Sequence, residues 1–186
     1  MNKYFDFEKS IEKIDVKIND LKNSSDKNSS SLVESLEIEK EKIYKKIYSN
    51  LNSWQRVQIA RHPDRPHTLN YINNIFSNFV VLSGDKKFGE DEAIVGGIGS
   101  IDNDSFVIIG TEKGSSMEAR IKHNFGMAKP EGYRKAQRLM LLAEKFNLPI
   151  ITFVDTAGAF PGKEAEERGQ SESIASSILT SLKVKT

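Results

Sequence analysis

The chain has 186 residues, a formal charge of +1, no cysteine and 38% hydrophobic residues, the profile of an ordinary globular protein. The missing cysteine excludes disulfides, thiolate-ligated zinc, iron–sulfur clusters and thiol nucleophiles, and near neutrality gives no global field for nucleic acid. Apolar runs such as 148–154 fall far short of the roughly 20 residues a membrane helix needs, and MNKYFDFEKS has no signal-type apolar region, so a cytoplasmic location without a membrane partner is expected.

Residues 1–50 contain no glycine or proline and carry ten basic and ten acidic side chains. Ile11, Ile14, Ile18 and Leu21 form one helical stripe, and Leu32, Leu36, Ile43, Ile47 and Leu51 form a second after the polar break at 22–31. The spacing predicts an antiparallel helical hairpin over 1–52, its apolar face too narrow to stand without something larger to lie against, with residues 53–186 as a separate domain. Next comes WQRVQIARHPDRPHTLNYI, where Pro63 and Pro66 interrupt any long helix and Thr68 is placed to cap a short one carrying Leu69, Ile72, Ile75 and Phe76. His62 and His67 have no evident fellow ligands, so no metal is expected; Arg56, Arg61 and Arg65 either bind an anion or pair with acids.

AIVGGIGSI at 93–101 and SFVIIG at 105–110, joined by Asp102-Asn103-Asp104, predict a β-hairpin. Gly96, Gly97 and Gly99 lie inside its first strand, where glycine weakens pairing and signals a close approach to the backbone. The stretch after Gly110 reads as a long basic loop. Between Glu118 and Arg138 six Lys/Arg face two Glu, a local excess of +4 that suits a phosphate-bearing ligand or a solvated face. Pro130 and Glu131 open a helix with an apolar stripe through Tyr133, Ala136, Met140, Ala143 and Phe146. IITFVD at 150–155 follows as a buried strand, and strand, helix and strand make a parallel β–α–β unit.

Ligands of such units bind beyond the carboxyl ends of the strands, which singles out DTAGAFPGKEAEERGQSESIA. Gly158 and Gly162 free the backbone there, Phe160 gives an apolar wall and Pro161 stiffens the turn, so the loop can aim N–H groups at a developing negative charge. An ordinary turn with Asp155 as a local cap fits equally. Glu164, Glu166 and Glu167 read as the acidic start of a helix, and His123 as a structural histidine.

WQRVQIARHPDRPHTLNYI, AIVGGIG, NFGMAKPEGYRKAQRLM, PIITFVDTAGAFPG and AEERGQSESIA, in this order, resemble the alpha subunits of bacterial acetyl-coenzyme A carboxylase carboxyltransferase over roughly residues 5–178. The resemblance implies an α/β crotonase-like ββα superhelix with an N-terminal helical hairpin. It also implies an α2β2 assembly with a beta subunit, acting with a biotin carboxyl carrier protein and a biotin carboxylase that uses ATP. The implied reaction moves a carboxyl group from carboxybiotin to acetyl-CoA, giving malonyl-CoA for fatty acid synthesis, with no metal in this chain. On that reading the backbone amides of Gly158, Ala159 and Phe160 stabilise charge, and Gly96, Gly97, Arg120, Lys122 and Arg134 are candidates for substrate binding.

Two departures from the family pattern stand out. Ala157 occupies a position where the family usually has proline, and a further strand with a GEGGSGG-type oxyanion loop does not follow SLKVKT, so the superhelix is expected to be incomplete and the chain inactive alone. Two competing readings are a noncatalytic assembly or regulatory module that binds a partner protein or RNA, and a different crotonase-fold enzyme acting on a CoA thioester.

Overall fold

The computed structural model describes residues 4–23 and 29–186. They fall into two compact units, residues 1–62 and 63–186.

In the first unit, α1 (Lys9–Asn23) and α2 (Ser29–Tyr48) pack together, and α3 (Ser53–Ala60) follows. The centre of the predicted break, 24–28, lies outside the described residues. The α1 stripe is buried at Ile11, Ile14 and Ile18, whereas the narrower α2 stripe is only half covered and leaves Leu32 exposed. Polar bonds reinforce this thin seam: the Tyr4 hydroxyl donates to Asp15 at 2.6 Å, Lys40 reaches the same carboxylate at 2.5 Å, and the Tyr48 hydroxyl donates to Glu8. Asn52 caps α3 by accepting the Gln55 N–H at 2.9 Å.

The second unit is built on a four-stranded sheet in the order β1 (Ser77–Val81), β2 (Ile94–Ile101), β3 (Asp104–Thr111), β4 (Ile150–Phe153). The expected hairpin is β2–β3, antiparallel from Ile94↔Thr111 to Ile101↔Asp104, and Asp102 takes the left-handed turn conformation at φ 52°. β3 and β4 pair in parallel, as the β–α–β reading requires. Alternation along β3 sends Val107 and Ile109 to a cluster with Ala136, Leu139 and Ala143 of α6 (Pro130–Phe146), and Ile108 to the opposite face with Ile72 of α4 (Thr68–Ile75) and its C-cap residue Phe76. Both faces of β3 are therefore covered, which is why its sequence is continuously apolar. After β4 the chain forms α7 (Lys163–Glu167) and α8 (Gln170–Lys183), with α8 packed along α6.

Four local expectations need correction. β4 is half-buried, not buried, because it is the sheet edge and pairs with β3 alone among the described strands. β1 had no counterpart in the sequence reading. The long loop after Gly110 contains α5 (Met117–Lys122), whose N-terminal N–H of Ala119 is capped by Ser116 at 3.1 Å. Thr68 is not the cap of α4: its hydroxyl donates to the Thr111 carbonyl at 2.5 Å, and the cap position falls to His67, whose N–H donates to Asn70.

The glycines of β2 answer to packing of quite different stiffness. A Cβ on Gly96 would lie 2.2 Å from Leu139 Cδ1, a side-chain tip that can rotate away, whereas one on Gly97 would lie 2.2 Å from the Val80 carbonyl oxygen in the β1 backbone. Gly97→Ala is expected to cost roughly 1–3 kcal/mol, the usual range for overpacking, and Gly96→Ala clearly less. Paired urea denaturation curves check this, and equal costs would contradict the packing account.

Candidate active site

The carboxyl ends of β3 and β4 are stitched together before the loop begins. The Asp155 N–H donates to the Thr111 hydroxyl at 2.6 Å, and the Lys113 ammonium lies 2.8 Å from the Asp155 carboxylate. The loop then runs beside 124–129. The Thr156 hydroxyl donates to the Gly126 carbonyl at 2.6 Å and accepts the Gly158 N–H at 3.0 Å, while the Phe160 N–H donates to the Ala128 carbonyl at 3.0 Å. Ala128 and Ala159 form a one-residue parallel bridge. Of the three expected donors, Gly158 and Phe160 are thus engaged, and Ala159 N–H has no acceptor among the described residues. Gly158 sits at φ 150° in open space, a conformation that favours glycine, so the chain can turn here without a side chain in the way.

Gln170 secures this arrangement from behind. Its side chain is buried and its Nε2 donates to the Ala128 carbonyl at 2.9 Å and the Phe160 carbonyl at 3.0 Å, fixing both strands of the bridge. Gly162 leaves no space beyond hydrogen, since a Cβ would come 2.2 Å from the Phe160 ring. The Lys129 ammonium lies 4.8 Å from that ring's centre and 2.9 Å from Glu164, one of the acids opening α7 as anticipated. In the adjoining turn, Asn124, Phe125 and Gly126 hold consecutive positive φ values of 47°, 55° and 77°. The strain of each non-glycine residue there is of order 1–3 kcal/mol.

The family model for acetyl co-enzyme A carboxylase carboxyltransferase-like proteins matches residues 4–186. The chain belongs to that family. It is 51% identical over 98% of its length to the acetyl-coenzyme A carboxylase carboxyl transferase subunit alpha of Gluconacetobacter diazotrophicus, and 52% identical over 97% to that of Paramagnetospirillum magneticum. The chain spans 58% of the length of each of these relatives. Among solved structures, the beta subunit of Pseudomonas aeruginosa geranyl-CoA carboxylase is similar with a TM-score of 0.52 at 21% identity, over 67% of this chain and 22% of that one. This likeness concerns the fold alone, and it agrees with the crotonase-like α/β class.

In this carboxyltransferase-like chain the other candidate residues divide by environment. Gly96 and Gly97 face Leu139 and β1 as described. Arg134 is mostly buried: its Nε donates to Asp85 at 2.7 Å and its other nitrogens reach the Arg168 carbonyl, Ser173 and Glu131. Arg120 Nε donates to the Gly114 carbonyl at 3.3 Å, and Lys122 pairs with Glu92 at 2.9 Å on the surface. Lys135 pairs with Glu90, and Arg138 donates to the carbonyls of 82–84. The local excess of positive charge is therefore answered mainly by a segment, 82–92, that the sequence reading passed over.

That segment also shapes the site. Buried Asp91 accepts the Lys129 N–H at 2.7 Å, the Ala93 N–H at 3.0 Å and the Asn124 side chain at 3.0 Å, tying the strained turn to the start of α6; burial pushes its carboxyl above the ordinary Asp range. His67 lies 3.1 Å from the buried Glu112 carboxylate, which also accepts the Leu69 and Gly114 N–H groups. Arg65 and His67 line an open cleft of about 650 Å³ with Tyr71, Asn74 and Ser115. Among the described residues no group of three His, Asp or Glu side chains could hold a metal ion, and no helix is long and apolar enough to cross a membrane. Asp91 carried no periodic or motif signal, whereas Gln170 stood inside the AEERGQSESIA stretch without a role that the sequence could assign.

Proposed function

We propose that this chain acts as the alpha-type part of an acetyl-CoA carboxylase carboxyltransferase, taking the carboxyl group of carboxybiotin and passing it to acetyl-CoA to give malonyl-CoA for fatty acid synthesis. The observation that carries the reading is the 51% identity over 98% of the chain to an acetyl-coenzyme A carboxylase carboxyl transferase subunit alpha. The reaction breaks the N–C bond of carboxybiotin and forms a C–C bond at the acetyl methyl carbon. The methyl proton passes to the ureido group that the carboxyl leaves. Negative charge therefore builds on the ureido oxygen and on the thioester oxygen.

The chain's contribution suits that demand. Ala159 N–H is a backbone donor without an acceptor among the described residues, on a loop whose neighbours are fixed by Ala128, Thr156 and Gln170. A dipole held in place in this way stabilises charge without having to reorganise as the charge appears. Gly158 N–H is held only by the Thr156 hydroxyl within its own turn and would serve after releasing it, whereas Phe160 N–H acts by holding the bridge. Arg120 and Lys122 carry positive charge on α5, which packs against the 124–126 turn, with Lys122 paired to Glu92 and Arg120 bonded to the Gly114 carbonyl. Gly96, Gly97 and Arg134 act from inside the fold, keeping β2 against α6 and the 82–92 segment in place.

The proposed partners are a carboxyltransferase beta subunit in an α2β2 assembly, a biotin carboxyl carrier protein and an ATP-using biotin carboxylase, all in the cytoplasm. Co-purification with such a beta subunit, followed by a malonyl-CoA assay with carboxylated carrier protein and acetyl-CoA, tests the proposal. Complex formation with turnover is the expected result for the alpha role. A chain that folds but neither binds the beta subunit nor supports turnover overturns it.

A further inference from the structure

The acids of 82–92 serve different ends. Asp85 and Glu90 answer the cations Arg134 and Lys135, whereas Asp91 forms no ion pair among the described residues although it is only 2% exposed. Its carboxylate instead takes three N–H groups from three separate places in the chain. One oxygen accepts the Ala93 N–H, just before β2, and the side-chain amide of Asn124, both at 3.0 Å, and the other accepts the Lys129 N–H at 2.7 Å. A Cβ on Gly132 would lie 2.4 Å from that second oxygen, so the first turn of α6 closes directly over the carboxylate.

These bonds grip the 124–129 segment at both ends. Asn124 opens the strained turn and Lys129 leads into α6, and between them lies Ala128, whose carbonyl accepts the Phe160 N–H and Gln170 Nε2 and which bridges Ala159. The bridge is thus held by Asp91 from one side and by Gln170 from the other. Stability does not account for a carboxylate at this place. Burial raises Asp91 above the ordinary Asp range, which means that folding favours the protonated form, so the ionised carboxylate is kept at a cost to stability. An ionised carboxylate accepts on every side, whereas asparagine at 91 would turn an N–H of its own toward one of these donors. What the charge provides here is geometry.

We propose that Asp91 is a positioning residue for carboxyl transfer: through Asn124 and Lys129 it fixes the segment that carries Ala128, and through the Ala128–Ala159 bridge it sets the direction of the Ala159 N–H. The inference rests on the carboxyltransferase reading and adds to it a buried residue that acts only through other residues. A fixed dipole stabilises developing charge only as well as it is aimed, and a displacement of about 1 Å costs on the order of 100-fold in rate. Asp91 therefore governs turnover more than substrate binding or folding.

The test compares wild type, Asp91→Asn and Asn124→Gly as full chains, by thermal melting, by hydrogen exchange of the Phe160 N–H, and by malonyl-CoA formation in complex with a carboxyltransferase beta subunit. Asp91→Asn is expected to melt within a few degrees of wild type, because the bonds lost and the burial cost relieved act in opposite directions. Its Phe160 N–H should exchange roughly tenfold faster, and its kcat should fall by about 10- to 100-fold with KM for acetyl-CoA unchanged. Asn124→Gly cuts one arm of the tether at a φ of 47° where glycine is relaxed, so it should melt no lower than wild type and still lose turnover severalfold. An Asp91→Asn chain with wild-type kcat and wild-type Phe160 exchange overturns the proposal. So does a loss of kcat that comes only with a large drop in melting temperature while Asn124→Gly turns over like wild type, since Asp91 is then a structural residue. Wild type without turnover in the complex overturns the carboxyltransferase reading and the positioning role with it, and Phe160 exchange then shows separately whether Asp91 holds the bridge.

Discussion

Replacing Asp85 by asparagine is expected to destabilise the second unit by about 3–5 kcal/mol, the cost of leaving a buried charge without its partner. The Asp85 side chain is fully buried. One carboxylate oxygen accepts the N–H groups of Lys87, Phe88 and Gly89 at 2.8–2.9 Å and the other accepts Arg134 Nε at 2.7 Å. Burial alone would raise its pKa, but the Lys87 amide, Arg134 and the other two amides outweigh burial and hold the carboxyl far below the ordinary value of 3.8. A depressed folded-state pKa contributes stability that is present above the unfolded value and is lost as pH falls through the folded one. Wild type should therefore lose stability below about pH 4 more steeply than Asp85→Asn, which lacks this carboxyl. Urea denaturation at pH 7 and at stepwise lower pH checks both statements. If the variant matches wild type at pH 7, Arg134 is satisfied without Asp85 and the role given to this pair is wrong. The double variant Asp85→Leu with Arg134→Leu should recover part of the loss, because it removes the stranded guanidinium as well.

This pair also marks where sequence reading stopped. Arg134 and Asp85 are 49 positions apart, and Lys135 and Glu90 are 45 apart. A charge count inside 118–138 sees only the cations and suggests an external anion. The fold brings the answering acids from the other side of β2 and β3. By contrast, α6 was legible because Pro130, Glu131 and a stripe with helical period agree locally, and the β2–β3 hairpin because its turn is chemically marked by Asp102-Asn103. β1 was missed because an edge strand with Val80 and Val81 exposed carries no alternation to read. α5 is a single capped turn or so, too short for a period to register. For the loop at 155–162, glycine spacing identified the place but not the donor: which amide stays free depends on Thr156, Ala128 and Gln170, and the last two contact it only through the fold.

Ala159→Pro is the sharpest probe of that donor. Proline at 159 removes one N–H and leaves the Phe160 N–H, the Ala128 carbonyl and the Gln170 bonds available, so the hydrogen bonds of the bridge are kept. Loss of a single oxyanion-type donor lowers turnover by about 100- to 1000-fold in enzymes that depend on one. In the complex with a carboxyltransferase beta subunit, malonyl-CoA formation by Ala159→Pro is expected to fall by that order, mainly in kcat, because the charge that the amide stabilises develops in the transition state. Thermal melting of the chain should change little by comparison. Phe160→Pro supplies the contrast, since it deletes the N–H that donates to Ala128 and should lower both melting temperature and activity. If Ala159→Pro turns over like wild type while its melting is unchanged, the Ala159 amide is not the donor, and Gly158 N–H, released from Thr156, becomes the group to test by Thr156→Val.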